Sequence, residues 1–429
     1  MVSIRLGLAA ATLTLGAFAG SAQEDGPPAE ELVRRGLMAL QARDLPTAQE
    51  YLERAVEKDP DEPRGWIGLA QTYSMLNLHT QASRHASEAA RLGGEDPLIQ
   101  HALSMFHTNY GNWAEAAAWE EKFARHSKQN LDAYLRTVSL YLQAEMPKRA
   151  AEVGEAALQH GDSASVHNAL GKAYTMSGNL EEGLDHLQLA VEQEPYEESL
   201  HYDLGYFHLR QQDFSSATAA FQAGRKYFDK SAALEIGLGI ADYGQRSFKD
   251  SVDHFLRAAA LAPGLEQPHA FLGRLLQHAS DRMEEVVERM KVFHSDHSKN
   301  HFGPFLYGQA LLAKLGASKD EAAMAEIESL LRESLERNEE YWESHYELGV
   351  LLEKKRDFPE AEKHLKRAVA LNPDSSKPHY RLARVYQRLG KAREAKRERE
   401  LHKQIAERER QAMQAGGLPE GFASAGVTP

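Results

Sequence analysis

The chain has 429 residues, about three times the usual domain size of roughly 150, and 42% of them are hydrophobic, so a large core can form. Its 50 basic and 63 acidic residues give a net charge of -13, which repels nucleic-acid phosphates and disfavours a nucleic-acid protein. The absence of cysteine excludes disulfides, thiolate nucleophiles, cysteine zinc sites and a lipid-modified N-terminal cysteine.

Residues 1–22 differ from the rest. Arg5 supplies a positive start, Leu6 to Phe18 form an apolar stretch, and two small-residue cleavage sites follow, Ala17-Phe18-Ala19 and Gly20-Ser21-Ala22. This pattern predicts a secretory signal. Its apolar run of about 13 residues is short of the roughly 20 needed to cross a bilayer as a helix. Cleavage would remove Arg5 and leave a mature charge of -14, and a periplasmic or secreted protein is expected. Residues 23–28 make a short linker.

From residue 29 the sequence repeats itself. A small residue follows an apolar one, an alanine comes twelve residues later, and a turn often marked by proline comes twelve beyond that. The units begin at 29, 63, 97, 131, 164, 198, 232, 266, 301, 342 and 376, so the spacing is 33 to 35 residues except for one of 41. In the tenth unit Tyr346, Val350 and Leu351, then Leu365, Ala368 and Val369, recur at helical spacing on two segments. The polar run Lys354-Lys355-Arg356-Asp357 separates them. Each unit therefore reads as a helical hairpin with one apolar face. Gly349 and Ala361 stand where the two helices would cross, since a larger side chain there would hold the axes beyond about 8 to 10 Å. Asn372-Pro373 and Asp59-Pro60 mark helix stops. A hairpin that cannot cover both sides of its apolar face must stack on its neighbours.

The ninth unit carries seven extra residues within Ala317 to Glu326. They predict a second helix about two turns longer, started by a Ser318–Glu321 capping box. Charge replaces the apolar stripe after Ala395, which predicts a solvated cap helix over 396–412, followed by a flexible tail over 413–429. From Asp374 to Gln411 twelve basic residues face six acidic ones, a local positive patch.

Trp66, Leu69, Ala70, Tyr73, Ala82 and Ala89 in the second unit carry a family pattern, as do Leu170, Gly171, Tyr174, Gly178, Leu187, Ala190 and Pro195 in the fifth. Leu348, Gly349, Ala361, Leu365, Ala368 and Pro373 repeat it in the tenth, and Leu382, Ala383, Tyr386, Gly390 and Ala395 in the eleventh. The pattern resembles the tetratricopeptide repeat, and Ser104 and Val138 at the small position mark weaker units. The resemblance implies an all-α superhelical solenoid of about eleven hairpins over residues 29–395. It also implies a non-enzymatic scaffold that binds other proteins or peptide segments along its first helices. Carried over unit by unit, the inward positions are Tyr202, Tyr206 and Arg210 in the sixth unit, and Arg274, Gln277 and His278 in the eighth. They are Phe302, Phe305 and Gln309 in the ninth, and Tyr380, Arg384 and Arg388 in the eleventh. The Lys and Asn set with which some relatives hold C-terminal carboxylates is reduced here to Asn168 and Lys172.

Chemistry is sparse. His167, His201, His269, His345 and His379 all occupy the fourth position of their units. They lie too far apart to converge on one ion and are expected to pack between helices. His294, His297 and His301 are compact enough to permit a metal contact, yet they have no carboxylate partner in sequence. Gly237 and Gly239 lack the third glycine and the preceding strand of a dinucleotide fingerprint, and the chain holds no H-E-x-x-H, G-x-S-x-G or phosphate-loop motif. No enzyme, cofactor or resident metal is expected. A subunit of an envelope assembly, such as pilus biogenesis or polysaccharide export, is the second reading, and the missing cysteine counts against its lipid-anchored form.

Overall fold

The structure, a computed structural model, describes residues 27–414 except 128, 129 and 298. The expected signal, most of the linker and all of the tail beyond Gln414 lie outside the described residues. Those described form α-helices and short 3-10 turns without a strand. The chain divides into two compact units, residues 1–160 and 161–429.

The first unit holds four hairpins: α1 (Ala29–Gln41) with α2 (Leu45–Lys58), α3 (Pro63–Met75) with α4 (His79–Gly93), α5 (Pro97–Asn109) with α6 (Trp113–His126), and α7 (Leu131–Gln143) with α8 (Pro147–Leu158). The second begins with α9 (Ala164–Ser177) and α10 (Leu180–Gln193), α11 (Glu198–Arg210) and α12 (Phe214–Arg225), and α13 (Ala232–Gly244) and α14 (Phe248–Leu261). It continues with α15 (Glu266–Arg274) and α16 (Met283–Asp296), α17 (Phe302–Leu315) and α18 (Glu321–Arg337), α19 (Trp342–Lys355) and α20 (Phe358–Leu371), and α21 (Ser376–Arg388) and α22 (Ala392–Gln414). Ten of the eleven unit origins read from the sequence are the first residue of a helix, and the other, His301, immediately precedes one. Within each unit the second helix of a hairpin packs on the first helix of the next, which is how a solenoid buries faces that one hairpin leaves open.

The crossings are set by small residues. At the twentieth position Ala48, Ala82, Ala116, Ala150, Ala217, Ala361 and Ala395 are buried. Opposite them the eighth position approaches so closely that a Cβ added to Gly171 would lie 2.6 Å from Leu187 Cγ, and one added to Gly349 would lie 2.6 Å from Leu365 Cγ. Gly237 and Gly239 sit in α13 against the rings of Phe221 and Phe255. They are packing positions.

Ten hairpins close through one residue of positive φ between their helices, and in six of these it is not glycine: Arg43, Asn77, Glu145, Gln212, Arg246 and Arg356. A short acceptor then starts the second helix, as where Asp44 accepts Thr47 N–H, Asp213 accepts Ser216 N–H and Asp357 accepts Glu360 N–H. The eighth hairpin departs from this scheme. Its first helix ends at Arg274, and two 3-10 turns, Leu276–His278 and Ser280–Arg282, replace the left-handed residue. Gln277 and His278 therefore do not occupy the helical inward positions carried over from the sequence. The reason is local: no residue there takes positive φ, so the chain turns by tightening its hydrogen bonds.

In the ninth unit the insertion is shared between a longer turn, residues 316–320, and α18 of 17 residues. Asp320 caps α18, accepting from the N–H groups of Ala322 and Ala323. The expected Ser318 cap is corrected: Ser318 Oγ accepts Asp320 N–H instead, because the helix starts one residue after Asp320. Residues 396–412 continue the last helix past Ala395, all within α22. Its Ile405 is buried, and Glu409 accepts both the N–H and the hydroxyl of Ser376 at the start of α21.

Candidate functional site

In five hairpins the fourth position of the first helix is an anchoring point. Trp66 Nε1 donates to Pro60 O at 2.8 Å and Gln100 Nε2 to Gly94 O at 2.8 Å. His201, His345 and His379 present Nε2 to the carbonyls of Pro195, Glu339 and Pro373 at 2.9, 3.0 and 3.1 Å. In all five the acceptor lies six residues upstream, so a donor at this position satisfies the loop that enters the helix. His269 instead pairs Nδ1 with Leu265 O at 2.8 Å and stacks on Phe293. His294, His297 and His301 do not converge. His294 lies 3.8 Å from Glu333, His297 bonds to Phe293 O, and His301 meets the edge of Tyr341. Among the described residues no group of three His, Cys, Asp or Glu side chains is placed to hold a metal ion.

The inward residues named from the sequence divide into two kinds. Tyr202 is 7% exposed and Phe305 3%. Both belong to the hydrophobic core, Tyr202 beside Phe221 and Phe305 5.0 Å from the ring of Tyr341. Their reading as anchors presented to a partner is corrected, because stacked first helices lie close enough to enclose a large ring from both sides. Tyr206 and Phe302 are half-buried, with one face on the core. Tyr206 stacks at 6.2 Å on Tyr202. Arg210, Arg274 and Gln277 are exposed, and Gln309 donates to Glu347 Oε1 at 3.1 Å.

In the eleventh hairpin Tyr380 is 45% exposed with Arg384 over its ring. Arg384 and Arg381 both reach Glu353 of α19, at 3.0 and 3.2 Å, while Arg388 is exposed at the end of α21. The basic stripe of α21 is thus partly neutralised by α19. Burial pushes the carboxyls of Glu343 and Glu347 on α19 above their usual range, against the nearby cations Arg274, Lys377 and Arg381. These glutamates were not singled out in the sequence. Neither was Asp203, which accepts Asn168 Nδ2 at 2.9 Å and pairs with Lys172 at 2.6 Å. Asn168 and Lys172 of α9 are therefore both tied to α11. The signal that could have found such partners is charge pairing across neighbouring units: Lys172–Asp203, Glu353–Arg381 and Glu121–Arg149 lie 28 to 31 residues apart.

Parts of the chain match models of the tetratricopeptide repeat. One family model described as tetratricopeptide repeat matches residues 39–106 and 352–401, and another of the same description matches residues 202–266 and 325–376. No curated protein matches it in sequence. Among solved structures it is similar to the yeast Tom70 structure at 14% identity, covering 90% of this chain and 94% of that one, with a TM-score of 0.39. A repeat protein from Cytophaga hutchinsonii is 15% identical over 65% of this chain and 98% of that one, with a TM-score of 0.43. The chain spans 65% of the length of the chain it matches in a structure of Naa15/Naa10 bound to HypK-THB, at 14% identity over 90% of this chain and a TM-score of 0.40.

Proposed function

We propose that the protein is a non-enzymatic scaffold that binds segments of partner proteins along the first helices of its sixth to ninth hairpins, and that it does so after export, in the periplasm or outside the cell. Tetratricopeptide repeats generally mediate protein–protein interaction. The observation that carries the location is the half-buried pair Tyr206 and Phe302, each resting one face on the core, with exposed Arg210 and Arg274 on the same set of first helices. Pre-packed aromatic rings lose little freedom on binding, and aromatic and arginine side chains are enriched where interface energy concentrates.

Photo-crosslinkers placed at Tyr206 and at the exposed outer residue Gln222 test this reading in the native host. Crosslinks to one defined protein from position 206 and none from 222 support it, whereas equal labelling from both rejects the surface. Export rests on Arg5, the apolar run and the small-residue sites that follow. N-terminal sequencing of the native protein should begin at Gly20 or Gln23, and an intact Met1 or Val2 start in the cytoplasmic fraction overturns it. The assembly reading is favoured instead if the protein is recovered in a complex of fixed composition after gentle solubilisation.

A further inference from the structure

Two contacts in the second unit join imidazole to imidazole. His167 Nδ1 lies 2.8 Å from His186 Nδ1 in the fifth hairpin, and His345 Nδ1 lies 2.9 Å from His364 Nδ1 in the tenth. Both pairs span 19 residues, from the fourth position of the first helix to the second helix. Their rings are 5.1 and 5.2 Å apart. Such a contact needs one N–H and one lone pair, so the outer nitrogens decide which ring donates.

His345 Nε2 faces Glu339 O at 3.0 Å, and a carbonyl can only accept, so this nitrogen carries the proton. In the neutral ring His345 Nδ1 is then the lone pair, and His364 Nδ1–H donates to it. That leaves His364 Nε2 as a buried lone pair without a hydrogen bond, 3.5 Å from the Glu360 carboxylate. His167 is fixed in the same way by Asp162 at 2.8 Å, and His186 Nδ1–H donates. One added proton can be carried by the tenth-hairpin pair: His345 Nδ1 takes it, and His364 shifts its own proton to Nε2 toward Glu360. A second proton places N–H against N–H and sets two like charges at contact distance.

We propose that these two contacts are acid-released locks, which hold the fifth and tenth hairpins closed while at least one imidazole of each pair is neutral and loosen them when both are protonated. The locked hairpins stand on either side of the sixth to ninth, and the lock does not depend on which surface binds a partner. Around the tenth-hairpin pair stand the carboxylates of Glu339 and Glu360 and the cations Arg332, Lys363 and Arg367. Burial, with help from the cations, holds His345 below its usual value, and burial with the neighbouring His345 brings His364 down to about 4. Around the fifth-hairpin pair are Asp162, which Gln193 also holds, and Tyr174, stacked on His186.

The chain carries its own control. The same two positions of the eleventh hairpin hold His379 and Glu398, whose Nδ1–Oε2 distance is 2.6 Å. The carboxylate raises the His379 pKa, so acid strengthens this contact where it weakens the other two.

Hydrogen–deuterium exchange of the full chain at pH 7.5 and 3.5, the lower value lying below the His364 value of about 4 and both corrected for intrinsic exchange rates, reads each hairpin separately. Amides of α9, α10, α19 and α20 should lose at least tenfold more protection at pH 3.5 than those of α21 and α22. His186→Glu and His364→Glu, which copy the eleventh hairpin, should abolish that difference. His364→Gln serves if the glutamate variant does not fold, since its amide can donate or accept. An equal change in all hairpins, no change in any, or a loss that persists in folded His364→Gln overturns the proposal.

Discussion

Asp203 Oδ2 lies 2.6 Å from Lys172 Nζ and accepts Asn168 Nδ2 at 2.9 Å, so one carboxylate on α11 ties down two residues of α9. Asp203 is 13% exposed at its side chain and Lys172 44%, which makes this a half-buried link with one solvated partner. Asp203→Ala should therefore lower unfolding stability by about 1 to 2 kcal/mol, chiefly by leaving the Asn168 amide without its acceptor. Lys172→Ala should cost less than about 1 kcal/mol because its charge is screened by water. Equal losses in urea unfolding would show that the ion pair, not the amide bond, holds the two helices.

Two glycines seven residues apart should fail for different reasons when changed to alanine. At Gly171 the new Cβ would meet Leu187 Cγ at 2.6 Å, an overpacking cost of about 1 to 3 kcal/mol. At Gly178 the Cβ would meet nothing within 4 Å, but φ is +90°, and a left-handed residue with a Cβ costs about 1 to 2 kcal/mol. Truncating Leu187 to alanine should offset part of the first penalty and none of the second. A double-mutant cycle in chemical denaturation checks both.

Phe305→Ala and Tyr202→Ala should act on the fold, with Phe305→Ala costing about 3 to 5 kcal/mol as a fully enclosed ring is removed. Tyr206→Ala and Arg210→Glu should leave the denaturation midpoint much closer to that of the parent while weakening a bound segment, by roughly thirtyfold where about 2 kcal/mol is lost. Thermal unfolding paired with a binding assay separates the two classes. Unfolding by Tyr206→Ala would move that residue into the core group.

Acid should destabilise the protein through His269. Burial brings its pKa down to about 4 from the ordinary 6.5, so the unfolded chain takes up a proton that the folded one refuses. The stability difference is fully present above pH 6.5 and is lost as pH falls toward 4, on the order of 3 kcal/mol from this group. His269→Gln should flatten the stability curve across that window. An unchanged slope between pH 6.5 and 4 would show that His269 takes up its proton in the folded state.

The period of the chain, its hairpin boundaries and its crossing points were legible in the sequence because they depend on local spacing. Gly171, Gly349 and Ala361 mark close approaches that only small residues allow, and the origins from residue 29 to 376 fall at helix starts to within one residue. The fixed period also singled out the fourth-position histidines, but as packing residues, and not the acceptor six residues upstream. What the sequence could not decide was how much of each inward side chain the next hairpin would cover. Tyr202 and Tyr206 sit four residues apart on one helix, yet the first is enclosed and the second keeps one face open. The pairing of Asp203 with Lys172 was hidden for the same reason, whereas the early end of α15 is a local turn that the repeat register did not mark. Helical periodicity fixes direction within a hairpin, whereas burial and charge pairing are set by the neighbour, whose side chains arrive about 30 residues later in the chain.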